Sequence, residues 1–263
     1  MENSRKVGNS NPFRGFLALL SFLTIIPTRV HDIRLAAQYF YLVPAVALIE
    51  GLVAALPLYT SLPPDLKAAV ALVLSYLITG FNHVDGFADF ADAIASRKRG
   101  KEALRIVKEP WKGPMAIAAV VLSVLIVYSS LVYLSKGYYY FVIVSHVLAG
   151  EAMFVLAVIS RQPDYPGLGH MFITEAKDNY RVSLNILLTL VLLTLLTFVY
   201  GPESQVVVDS LLMVLAMMTV VLYTYIEAHS ILGFSNGDVL GFCYELVKAT
   251  TLLVSVIPLS IIS

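Results

Sequence analysis

Cysteine is nearly absent: Cys243 is the only one in 263 residues. A single thiol excludes an internal disulfide and leaves no paired-thiolate metal motif. Charge is also scarce, with Asp, Glu, Lys and Arg making up 14% of the chain, against about 25% in soluble domains. No internal repeat, low-complexity linker or signal-peptide pattern with a small-residue cleavage site is visible. What fills the chain instead is apolar: 58% of residues are hydrophobic. Runs of about 18 or more apolar residues recur, which excludes a soluble domain on a single anchor. The expectation is an all-α, polytopic integral membrane helical bundle forming one domain over residues 1–263.

Seven spans are expected, over residues 36–60, 66–79, 114–134, 138–160, 182–200, 206–226 and 245–262. The first apolar run, 16–26, is too short to cross and reads as an interfacial or re-entrant segment. Pro44 and Gly51 predict a kink in the first span. Glu50 sits in the middle of that span, and an acid at that depth is a functional candidate. His146 and Glu151, five apart in a later span, suit a buried hydrogen bond as well as a role in a site. Lys248 lies within the last span, and Lys248→Gln is expected to do little.

The organising stretch is "TGFNHVDGFADFAD", residues 79–92. On a helix, Asp85, Asp89 and Asp92 fall within about 60° of arc. Three carboxylates so placed repel one another, and more strongly beside a membrane. A divalent cation with hard oxygen ligands is the simplest compensation, and suits Mg²⁺, with Mn²⁺ able to substitute. Gly86 and Ala88 keep the surface low. A solvated helix end with three aspartates, or Asp85 as a helix N-cap, remains an alternative. His83 could be a ligand, a general base or an interface histidine.

Arg97, Lys101, Arg105, Lys108 and Lys112 lie within about 80° on a continuous helix. That spacing predicts an amphipathic helix over 97–112 lying on the membrane and ended by Pro110. It serves either as a phosphate-binding wall or as a grip on anionic lipid headgroups. Gly167 and Gly169, in "YPGLGHMF", could supply unusual backbone near a ligand or form an ordinary turn. Near the C-terminus, Asp238 and Glu245 share a helix face within about 20°, with Gly241 leaving that face open. Fifteen of the eighteen Lys and Arg fall on the end carrying 1–35, 81–113, 161–181 and 227–243. The positive-inside rule places that end, with every motif above, in the cytoplasm.

"TGFNHVDGFADFADAI" resembles the signature of the cobalamin synthase family, His-x-Asp-Gly-x-Ala-Asp-x-x-Asp, in which His83, Asp85, Gly86, Ala88, Asp89 and Asp92 stand. "RIVKEPWKG" is similar to a second family element, with Lys108 and Gly113 matching. "YPGLGHMF" resembles a third, and "SNGDVLGFCYEL" a fourth that places Gly237, Asp238, Gly241 and Glu245. "FLTIIPTRV" is similar to the family's opening. The resemblance spans nearly the whole chain. It departs at Phe81 and Asn82, which replace a Gly-Phe or Gly-Leu pair, at Ala93 for Gly, and at Glu109 for Asp.

The resemblance implies an adenosylcobinamide-GDP ribazoletransferase in the cell (inner) membrane. Such an enzyme joins adenosylcobinamide-GDP to α-ribazole or its 5′-phosphate and releases GMP. It implies metal at Asp85, Asp89 and Asp92, with Asp238 and Glu245 completing a second position or orienting the nucleophile. His83 or an aspartate would take the proton, and Arg105 and Lys108 would hold phosphate oxygens. Asp89→Asn should then abolish turnover in a folded protein. Membrane lipid is an expected partner and nucleic acid is not, and a homo-oligomer stays open. The corrinoid ring is expected at a subunit interface or membrane-edge groove, because the loops are small. One alternative is a phosphotransferase of CDP-alcohol type, whose Ala-Arg pair is here Ala88-Asp89. Another is an ion-coupled transporter, for which only Glu50 and Glu151 lie deep enough.

Overall fold

The chain bends by 87° between Pro64–Ile78 and Asn82–Ser96. Gly80 and Phe81 make the bend, with φ of 59° and 62°. Left-handed backbone costs a residue with a Cβ about 1–2 kcal/mol, and at Phe81 the ring stacks on Tyr76 at 6.1 Å. The bend matters because it lays the acidic segment across the end of the bundle.

The structure, a computed structural model, describes residues 11–200 and 204–262. Arg5 and Lys6 of the charge tally lie outside the described residues. Twelve α-helices follow in order: α1 (Pro12–Leu23), α2 (Ile33–Gln38), α3 (Val43–Ala55), α4 (Pro64–Ile78), α5 (Asn82–Ser96), α6 (Lys101–Val107), α7 (Pro114–Leu134), α8 (Tyr140–Ile159), α9 (Leu168–Ala176), α10 (Asn179–Tyr200), α11 (Ser204–Ile231) and α12 (Gly237–Ile262). Among the described residues there is no strand. Among the described residues, six helices are long and apolar enough to cross a membrane, or seven if bent α4–α5 counts as one. The protein is a multi-pass membrane bundle.

The short first segment is α1, twelve residues long and apolar. Three expectations are corrected. Pro44 does not kink its span, because it sits in the first turn of α3 where no intrahelical N–H is needed. The span instead loosens into 3₁₀ turns at Phe40–Leu42 and Leu56–Tyr59. The last helix begins at Gly237, not at 245, because α11 runs on to Ile231 and leaves only a short connection. The basic stretch is not one helix. Arg97 (φ 55°) and Gly100 (φ 57°) turn the chain, so only Lys101–Val107 is helical.

α8 is the core of the bundle, buried on nearly all sides against α3, α11 and α12. Small residues let these backbones meet, as in other membrane helix pairs. A Cβ at Gly51 would stand 3.0 Å from the Ile143 Cα, and one at Gly150 2.7 Å from the Ala47 Cβ. By contrast, α10 exposes Leu187, Leu190, Leu195 and Phe198, the pattern of a helix facing lipid.

The two ends of the bundle separate cleanly. At one, the Tyr59 and Tyr200 hydroxyls meet at 2.7 Å and Lys67 donates to the Leu58 carbonyl. At the other, Gly100 N–H donates to Ile231 O, Ser235 N–H to Arg161 O, and Ile25 N–H to Ile78 O. The connections before α2, around α6, around α9 and before α12 therefore share one end, as the charge distribution indicates.

Candidate active site

The site is built on the crossing of α5 and α12. A Cβ added to Gly86 would stand 2.9 Å from the Asp238 Cα and 2.8 Å from its carbonyl oxygen. Only glycine permits that approach, because the obstacle is backbone and cannot rotate away. Gly241 packs likewise on the His83 backbone, at 3.2 Å from its carbonyl. Gly169, in α9, meets the Asn236 Cα and Gly237 N at 2.8 Å. Glycines from three distant motifs thus pull three elements onto one spot.

Five acidic residues were expected to act together, and the structure divides them. Asp85 and Asp89, one turn apart on α5, both grip the Lys112 ammonium, at 2.8 Å for Asp85. Burial works against the charge of Lys112, but the hydrogen bonds with Asp85 and Asp89 outweigh it and hold its pKa above the usual lysine value. Asp238 lies at the same crossing, where it lines one cavity together with Asp85, and its carboxylate accepts from the Asn236 amide at 2.9 Å.

Asp92 stands apart from them. Its oxygens accept from the N–H groups of Gly113 at 2.5 Å and Ala116 at 2.8 Å, so it caps the start of α7 from another helix. A Cβ at Gly113 would stand 2.8 Å from that carboxylate, which explains the glycine. Replacing Asp92 by Ala should therefore cost about 0.5–2 kcal/mol of stability, read as a lower melting midpoint in detergent. Glu245 is also spent elsewhere. It is buried two turns down α12 and paired with Lys248 at 2.8 Å. Asp85 is not an N-cap either: Phe81 holds that position and Asp85 lies in the first turn.

His83 is buried, with its ring stacked on Tyr244 at 4.2 Å. Tyr244 in turn donates to Glu50 at 2.5 Å, so the mid-span acid of the first span braces the ring that backs His83. His146 and Glu151 make buried hydrogen bonds away from this ring. His146 pairs with Ser75 at 2.9 Å, and Glu151 accepts from Thr189 at 2.8 Å.

Because the basic stretch is broken, its cations diverge. Arg105 and Lys108 stay exposed on α6 and at its end. Lys108 lies 4.1 Å over the Tyr165 ring, beside the loop that leads into α9. Lys112, past Pro110, folds back onto the acids. Gly167 and Gly237 are uncrowded, and both stand at helix starts, before α9 and at the head of α12.

A cavity of about 300 Å³ opens between these elements. His83, Asp85, Asp238, Asn82, Gly169 and Gly237 line its polar side. Among the described residues no three His, Cys, Asp or Glu side chains are already arranged around a metal position. The donor set nevertheless fits a hard cation: Asp85, Asp89 and Asp238 offer carboxylate oxygens only, and two of them already seat an ammonium. Sequence reasoning placed Lys112 in the basic wall but missed its pairing with Asp85 and Asp89, and missed Asn236 as the partner of Asp238. For Lys112 the signal was its place one turn beyond Lys108. Nothing in the spacing could show that the chain turns back at Pro110.

Residues 15–256 match the family model described as Cobalamin-5-phosphate synthase. The chain is 32% identical over 233 residues to the adenosylcobinamide-GDP ribazoletransferase of Pyrobaculum calidifontis, covering 88% of this chain and 94% of that one. It is 32% identical over 234 residues to the protein of that name from Archaeoglobus fulgidus, at 89% and 93% coverage. With its namesake from Clostridium perfringens strain 13 it shares 30% identity over 242 residues, at 89% and 94% coverage. No solved structure matches.

Proposed function

Since the chain belongs to the cobalamin-5-phosphate synthase family and is a transferase of cobalamin synthesis, we propose that it joins adenosylcobinamide-GDP to α-ribazole or its 5′-phosphate and releases GMP. A ribose hydroxyl of the acceptor attacks the phosphate next to the cobinamide arm. A new P–O bond forms, the bond to the bridging oxygen between the two phosphates breaks, and GMP leaves with that oxygen and its electron pair. His83 or Asp238, both lining the cavity, takes the hydroxyl proton.

The supporting observation is the convergence itself. Asp85 and Asp89 from one third of the chain share the Lys112 ammonium, and Asp238 from the last third lines the same cavity as Asp85, brought there by the close crossing at Gly86. These three residues, rather than Asp92 or Glu245, would hold Mg²⁺ or Mn²⁺. A bound dication would neutralise the diphosphate and the charge that builds on its oxygens. Lys112, held by Asp85 and Asp89, would add a cation for phosphate oxygens beside those acids. Lys108 and Arg105 extend the positive rim. The starts of α9 and α12 also open on the cavity, and helix N-termini favour anionic groups. The charge distribution supports a cytoplasmic orientation of this end in the cell membrane.

The test is GMP release from adenosylcobinamide-GDP by the purified protein in detergent with α-ribazole present. Release is expected with Mg²⁺ or Mn²⁺ and not after chelation. Release that continues unchanged in chelator would remove the dication from the proposal, and no release under any condition would remove the reaction.

A further inference from the structure

The cavity has a second face that the transfer chemistry leaves unused. Apart from its polar residues, the lining is carbon, including Phe22, Leu23, Phe40, Met153, Phe172 and Leu240. These residues come from α1, the turn before α3, α8, α9 and α12, so the face is assembled by the tertiary fold. The Phe22 and Phe172 rings stack at 4.8 Å, and Phe40 meets Phe172 edge-on at 5.1 Å. Rings packed at such offsets leave no gap between one another and present a continuous apolar wall to the cavity, against which a further planar ring can pack.

The size and chemistry of the cavity decide which half of the reaction it serves. Its volume, about 300 Å³, lies at the low end of small-molecule pockets, about 300–1,000 Å³. A corrin macrocycle with its side arms is far larger. Guanine would fit by size, but its ring edge carries several donors and acceptors. Against this wall each would go unpaired, at about 1–3 kcal/mol apiece. A flat base with an apolar outer edge loses nothing there and gains from burial.

We propose that this cavity is the acceptor-base site. It takes the base of the incoming nucleoside, selects a planar apolar bicyclic ring, and points the attached ribose at Asp85 and Asp238. The assignment rests on the transfer reaction proposed above. It also puts the nucleotide-activated corrinoid on the other side of the carboxylates, where Asp85, Lys108 and Arg105 are exposed.

Leu168 lets the idea be tested with little risk to folding. It lines the cavity at the start of α9 yet is 49% exposed, so a larger ring there need not displace the core. The probe is benzimidazole riboside, titrated by its own fluorescence onto the purified full-length protein in detergent, with GMP binding measured in parallel by calorimetry. Wild-type protein is expected to bind the riboside in the absence of any corrinoid. Leu168→Trp should weaken riboside binding at least about ten-fold and leave the GMP affinity unchanged. Phe172→Leu, which thins the wall instead of filling the cavity, should weaken it in the same selective way.

Unchanged riboside binding in Leu168→Trp, or an equal loss of GMP affinity, would overturn the assignment. Selective loss of riboside binding in a protein that releases no GMP would leave the assignment standing and count against the reaction alone.

Discussion

Asp89→Asn is expected to lower GMP release by on the order of 10³-fold while the protein stays folded, because the acid acts where charge builds in the transition state. Asp89 is nearly buried, and its carboxylate meets Lys112. Asparagine has almost the same shape and can still accept from that ammonium, and Asp85 also holds it at 2.8 Å. What disappears is one of the two negative charges that hold Lys112. The measurement is turnover together with the melting midpoint, with Asp92→Asn as the comparison. Asp92 bonds to the amides that start α7, so its amide variant should keep far more activity. Equal losses at 89 and 92 would mean that the division between site and cap is wrong.

Lys248→Gln should have the largest effect on stability, about 3–5 kcal/mol. The Lys248 side chain is completely buried, pairs with Glu245 at 2.8 Å, and lies 4.4 Å over the Tyr76 ring. Glutamine leaves the Glu245 carboxylate without a counter-charge in a medium that cannot solvate it. Removing both charges should be far milder, so the double variant Glu245→Gln, Lys248→Gln should recover most of the lost stability. Unfolding in detergent against added denaturant reads all three proteins. A single variant within about 1 kcal/mol of wild type would show that water reaches the pair and screens it as at a surface.

The buried Lys248–Glu245 pair runs against the expectation that Lys248→Gln does little. Lys248 looked incidental because no motif contains it and it stands alone in an apolar run. Glu245 looked functional because it fits a family element and shares a face with Asp238. Their spacing of three along one helix, the distance at which side chains meet, was the signal for pairing. The basic stretch misled in the opposite way. Five cations at helical spacing suggested one continuous face, but Arg97 and Gly100 take left-handed backbone and the helix shrinks to Lys101–Val107. A periodic pattern carries no record of a chain reversal between its members.

Composition and hydropathy alone determined that the protein is a bundle of membrane helices, because long apolar runs have no other soluble or folded use. The order of the spans put the motifs at one end, and the His83–Asp92 segment supplied two of the three carboxylates in the proposed site. The tertiary structure decided how the five acids are divided. Gly86 lets two helix backbones touch and brings Asp238 to the cavity that Asp85 also lines, while Asp92 and Glu245 are taken up by a helix end and a buried lysine. A carboxylate's role depends on what lies within about 3 Å of its oxygens, and in this chain those neighbours are mostly distant in sequence.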